Sequence, residues 1–82
     1  MKEKSIERYM SQYRDIRGTL IKKRKCLFDS NLIFVISDGK ETASVKVGKG
    51  LDSMYPVGCE LTVGHIGHKL INIRPGIVYD NE

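Results

Sequence analysis

Apolar and polar positions change period along this chain. Ile6, Tyr9, Met10, Tyr13 and Ile16 recur at intervals of three and four, which predicts an amphipathic α-helix from about Ser5 to Arg17, with Gly18 as its stop. Beyond Gly18 the period shortens to two. A first strand is expected from Thr19 to about Leu27, a second from Leu32 to Ser37 and a third from Lys40 to Val47. The Asp29-Ser30-Asn31 cluster separates the first two, because such side chains favour turns by bonding their own backbone. Asp38-Gly39 separates the next two. Tyr55-Pro56-Val57-Gly58 then opens a final hairpin, in which Leu61-Thr62-Val63 alternates and a Gly-bearing turn leads into a β-branched run ending at Ile73. Between Gly50 and Pro56 there is room for one helical turn, and the tail after Pro75-Gly76 reads either as a short edge strand or as a frayed end.

Asp-Gly is the residue pair that a two-residue type I′ turn prefers, since both central positions need positive φ. With that turn Ser37 faces Lys40, Phe34 faces Ala43 and Leu32 faces Val45. Leu32, Phe34, Ile36, Ala43, Val45 and Val47 then share one face, and Thr42, Ser44 and Lys46 share the other with Ile33 and Val35.

One helix followed by five strands on short turns predicts a mainly β fold: a small antiparallel five-stranded barrel, an OB- or SH3-like meander, with one N-terminal α-helix. A meander of this length hides its edges by curling. The expected domain is single over 1–82, with the helix at 5–17, the barrel at 18–75 and a tail at 76–82. Gly18-Thr19-Leu20-Ile21, Ile36-x-Asp38-Gly39, Tyr55-Pro56-Val57-Gly58, Leu61-Thr62-Val63 and Gly67-His68-Lys69-Leu70 together resemble the soluble C-terminal barrel of NfeD proteins and kindred bacterial domains of unknown function. The resemblance covers about Gly18 to Pro75. It implies a non-catalytic adaptor or assembly module and carries no functional residue across. NfeD-like domains usually follow a membrane segment, and Cys59 stands where many of them have an acid or another polar residue.

The 82 residues allow one small core and little room for an elaborate active site. An apolar content of 40% with 29% charged residues is that of a globular domain, and the longest apolar run, Leu32 to Ile36, is far short of the roughly 20 residues that span a bilayer. The mixed charge of Met1 to Ser5, with no apolar stretch after it, predicts no secretory signal, and only Cys26 and Cys59 are present, so a reducing, cytoplasmic location is expected. The net charge of +4 permits acidic partners.

No chemistry-bearing constellation is complete. His65, His68 and Cys59 lack the paired spacing and the fourth ligand of a structural zinc site. Gly39-Lys40 and Gly48-Lys49 lack the preceding glycine and following helix of a phosphate-binding loop. Ser53, His65 and Asp52 have no motif to bring them together as a hydrolytic triad. No enzyme, metal or cofactor is therefore expected.

Two candidate surfaces remain. The first is basic: Arg17, Lys22, Lys23, Arg24 and Lys25 lie in a segment where Lys22 and Arg24 point to one face of a strand and Lys23 and Lys25 to the other. They are candidate contacts for a nucleic-acid backbone, or edge protection against aggregation. No aromatic residue alternates with them, which counts against base stacking. The second is the helical stripe Ile6, Tyr9, Met10 and Tyr13, a candidate interface with an unknown protein or with a second copy of the chain. The main expectation is a non-enzymatic interaction or structural module, and the alternative is a non-specific nucleic-acid-binding barrel.

Overall fold

The computed structural model describes residues 12–79. It contains five strands, β1 (Tyr13–Lys25), β2 (Leu32–Ser37), β3 (Thr42–Val47), β4 (Glu60–Ile66) and β5 (Lys69–Pro75), with a short 3₁₀ turn at Lys49–Leu51. Strand order in the sheet is β1-β2-β3-β5-β4, with β4 returning to β1. Four of the pairings are antiparallel, whereas β3 and β5 run parallel. The expected antiparallel meander barrel is thereby corrected: the sheet is mixed, and β5 sits between β3 and β4. The β3–β5 seam consists of one residue pair, Lys46 with Lys69, secured where the Lys46 amide donates to the His68 carbonyl at 2.8 Å, so the ring is barely closed there.

The expected N-terminal helix is corrected as well. No α-helix occurs among the described residues, and Tyr13 to Arg17 belong to β1. Ile6, Tyr9 and Met10 lie outside the described residues. Ile16 fits a period of two as well as a period of four: it faces the core with Gly18 and Leu20, all on alternate positions paired with β4 or β2. Thirteen residues of β1 allow it to serve both neighbours, β4 with its first half and β2 with its second.

β2 and β3 pair as Ser37 with Thr42, Phe34 with Val45 and Leu32 with Val47, two residues off the expected register. The connecting turn is longer than two residues. Asp38 donates its amide to the Glu41 carbonyl at 3.1 Å, and its carboxylate accepts from the amides of Lys40 and Glu41 at 2.8 and 2.7 Å. Only Gly39 takes positive φ, so the turn is not type I′. A shift of two preserves the side-chain faces, and Phe34, Ile36, Val45 and Val47 are buried as expected.

The core is completed by Ile16, Leu20, Leu61, Val63 and Tyr55, with Leu32, Ala43, Cys59 and Leu70 packed at its margins. On the outer side of β4, Thr62 is fully buried because the tail lies over it. Its hydroxyl donates to the Gly76 carbonyl at 2.9 Å and accepts from the Val78 amide at 2.8 Å. The tail is thus a strap, neither an added strand nor a frayed end over residues 76–79.

Candidate functional site

A β-bulge in β1 decides what the basic segment presents. The β1–β2 register slips between Leu20 and Lys22, leaving Ile21 unopposed and half exposed. Before the slip the even-numbered residues face inward. After it, Lys23 and Lys25 stand opposite Phe34 and Leu32 on the inner side, while Lys22 and Arg24 stand opposite Val35 and Ile33 on the outer face. The chain before β4 braces this point, with the Leu20 amide donating to the Cys59 carbonyl at 2.9 Å and the Gly58 amide to the Leu20 carbonyl at 2.7 Å.

The five cations singled out by sequence do not act together. Arg17 lies in the half of β1 that pairs with β4, where its Nε donates to the Val78 carbonyl at 2.6 Å and its guanidinium lies 4.8 Å from the centre of the Tyr79 ring. It also stands 3.7 Å from Asp15. Its work is to hold the tail strap. Lys23 bonds the carboxylate and the carbonyl of Asp52 at 2.7 and 2.8 Å, with its ammonium 5.5 Å from the centre of the Phe34 ring. Lys22, Arg24 and Lys25 remain exposed and form no salt bridge among the described residues.

The outer face beside these cations continues over β2 and β3 through Ile33, Ser44 and Lys46, and ends at His68 in the β4–β5 turn, with a hollow of about 390 Å³ between them. His68 Nδ1 lies 2.8 Å from the Ser44 carbonyl, which fixes the turn against β3. Donation to a carbonyl places the proton on Nδ1 and leaves Nε2 as an acceptor in the neutral ring. Past the end of β1 comes the loop for which the sequence indicated only the Asp29-Ser30-Asn31 turn, with Leu27 counted to the strand; β1 ends at Lys25 instead. Leu27 and Phe28 are 90% and 94% exposed, side by side at its tip. The tip is held by its base: the Cys26 amide donates to the Asn31 carbonyl at 3.0 Å, and the Asn31 amide to the Asp29 carboxylate at 2.9 Å. The other Asp29 oxygen meets Lys46 of β3 at 2.6 Å. A signal for this exposure existed, since Phe28 immediately precedes the turn cluster Asp29-Ser30-Asn31.

The bond to Lys46, followed by that from the Asn31 amide, lowers the Asp29 pKa below its ordinary value, and Asp29 in turn raises that of Lys46. A depressed carboxylate contributes stability that is present above its unfolded value and lost as pH falls through its folded one. The loop is therefore expected to keep one conformation from neutrality down to about pH 4 and to loosen only below that. Amide exchange at Asn31 followed by NMR across this range checks it; loosening already at pH 6 would contradict the assignment.

The remaining candidates stay apart. Asp52 is taken by Lys23, whereas His65 pairs with Arg14 near the other end of β1 and bonds the Gly67 carbonyl through Nδ1 at 2.9 Å. As much as roughly 30 Å of strand separates them. Among the described residues no three His, Cys, Asp or Glu side chains are placed to hold a metal ion. Cys26 and Cys59 are free thiols, each half buried.

No family model matches the chain. Its comparison with curated proteins and with solved structures likewise found no match. Among the described residues no helix is long and apolar enough to cross a membrane.

Proposed function

We propose that this chain is a non-enzymatic interaction module that engages a polyanionic partner through the second half of β1 and the loop after it. The observation that carries the reading is the division of labour along one strand. Arg17 and Lys23 are tied to internal partners, while Lys22, Arg24 and Lys25 are left exposed and without a salt bridge among the described residues. β4 pairs with β1 only as far as Thr19, so one side of Lys22 to Lys25 is an open edge that these charges also protect. The resemblance to NfeD C-terminal domains points the same way, toward an adaptor. A cytoplasmic, bacterial setting belongs to the same proposal, and its reducing character fits two cysteines that form no disulfide with each other.

A second reading, non-specific binding of nucleic acid, is favoured by the hollow lined by Arg24, Ile33, Ser44, Lys46 and His68, which could follow a phosphate backbone across the sheet. Against it, among the described residues no Phe, Tyr or Trp lines that hollow, and Lys46 is already paired with Asp29.

Binding to dextran sulfate, a polyanion without bases or lipid, tests the main reading. The wild-type chain is expected to bind with an affinity that falls as salt rises, and the triple reversal Lys22→Glu, Arg24→Glu, Lys25→Glu is expected to abolish binding without changing the melting temperature. Binding that survives the triple reversal would place the anionic surface elsewhere. For a single-stranded oligonucleotide, three phosphate contacts give a log–log salt slope of about −2.

A further inference from the structure

We infer that the β1–β2 loop is a membrane-docking tip: Leu27 and Phe28 enter the interfacial region of an anionic bilayer while Lys22, Arg24 and Lys25 meet its headgroups. This rests on the polyanion-binding reading and names the partner. Two adjacent large apolar side chains, each about nine-tenths exposed, form an apolar point on the loop between β1 and β2. A folded protein partner would need a matching pocket for such a point, whereas a bilayer accepts it without one. Nucleic acid would use the Phe28 ring for stacking but would gain nothing from Leu27. The loop conformation explains why these residues do not fold back. Bonds from Cys26 to Asn31 and from Asn31 to Asp29, with the Asp29–Lys46 bridge, hold the base closed and push the tip outward.

Charge complements the apolar tip. Behind it, Lys25 and Lys49 line a shallow cleft of about 270 Å³ with Ser30 and Asn31, groups suited to phosphate and carboxylate oxygens. The two acids in the same cleft, Asp29 and Asp52, are each bound to a lysine, Lys46 and Lys23, so their charge is offset before any lipid arrives. A shallow apolar insertion combined with a basic collar is the pairing that gives reversible peripheral binding, because neither signal alone holds a protein at a surface.

The chain has no tryptophan, so Phe28→Trp supplies a single reporter at the tip. Its emission is expected to shift to the blue on adding vesicles of equal phosphatidylcholine and phosphatidylserine, and not with phosphatidylcholine alone. Co-sedimentation of the full chain with the mixed vesicles should weaken about tenfold or more for Leu27→Ser combined with Phe28→Ser. Each of Lys22→Gln, Arg24→Gln and Lys25→Gln should cost about fivefold. All these positions are exposed, and unchanged melting shows that the variants fold. An unshifted emission, or sedimentation indifferent to the Leu27 and Phe28 changes, overturns the inference. If vesicles fail while dextran sulfate or an oligonucleotide binds and the charge variants abolish it, the polyanion reading stands and the membrane inference falls. If no polyanion binds, both fall.

Discussion

Replacement of Phe34 by Ala is expected to lower the stability of this domain by about 3–5 kcal/mol, the range for removing a fully enclosed aromatic ring. Phe34 has no exposed surface and stands between β1 and β3, opposite Lys23 on one side and Val45 on the other. The loss combines the transfer term with the cavity left behind, because the sheet on either side is held by its own hydrogen bonds and cannot collapse into the space. It also removes the ring beneath the Lys23 ammonium. Small domains have about 5–15 kcal/mol in total, so such a loss takes most of the margin. At roughly 4–8 °C per kcal/mol for a chain of this size, the melting temperature should fall by well over 10 °C. Thermal and urea unfolding followed by circular dichroism measure it, with Phe34→Leu as a milder companion. A fall of only a few degrees for the Ala variant would mean that the core does not close over this ring.

Gly18→Ala is expected to be nearly as damaging, about 3 kcal/mol or more, although it adds a single methyl group. Here β1 passes directly under the end of β2. A β-carbon at position 18 would fall 2.6 Å from the Ser37 carbonyl carbon, 2.9 Å from the Asp38 Cα and closer still to the Ser37 carbonyl oxygen. All three obstacles are backbone and belong to the end of β2 and the turn that follows it, so one of two strands must move. Gly64→Ala is the informative contrast. Its β-carbon would meet the Tyr13 ring and the Asn72 amide, side chains that can swing aside. Doing so disrupts the bonds from Asn72 to the Tyr13 hydroxyl and from there to Asp15, both 2.9 Å, on an exposed face. That loss should be about 1 kcal/mol. Equal melting temperatures for the two alanine variants would show that the backbone contact at Gly18 does not control the approach of β2.

Much of the sheet was legible in the residues because alternation is a local property. Leu32, Phe34, Ile36, Ala43, Val45 and Val47 declare a common face whatever their partners, and a register error of two left that face intact. The helix reading failed at Tyr13 to Arg17 because Ile16 satisfies both periods, and the pairing with Ile66 to Thr62 of β4 decides between them. The three Asp38 bonds, rather than positive φ at both turn positions, set the β2–β3 connection, and a pair of letters does not distinguish these alternatives. For the binding surface, the basic run was visible but its division was not. Nothing near Arg17 or Lys23 in the chain announces Val78, Tyr79 or Asp52 as partners. Leu27 and Phe28 went unassigned for a related reason, since a place beside a turn cluster does not say whether the loop base folds an apolar pair back or holds it outward.

By itself the sequence determined a mainly β chain of five strands, the inward and outward faces of β2 and β3, and a concentration of positive charge in the second half of β1. Only the tertiary structure decided the strand order, the parallel β3–β5 seam, the bulge at Ile21 that turns Lys22 and Arg24 outward, and the exposure of Leu27 and Phe28. The reason is one of range. Side-chain alternation and turn chemistry are set within a few residues, whereas strand neighbours, register slips and the neutralising partners of a charge arise from contacts between segments tens of residues apart.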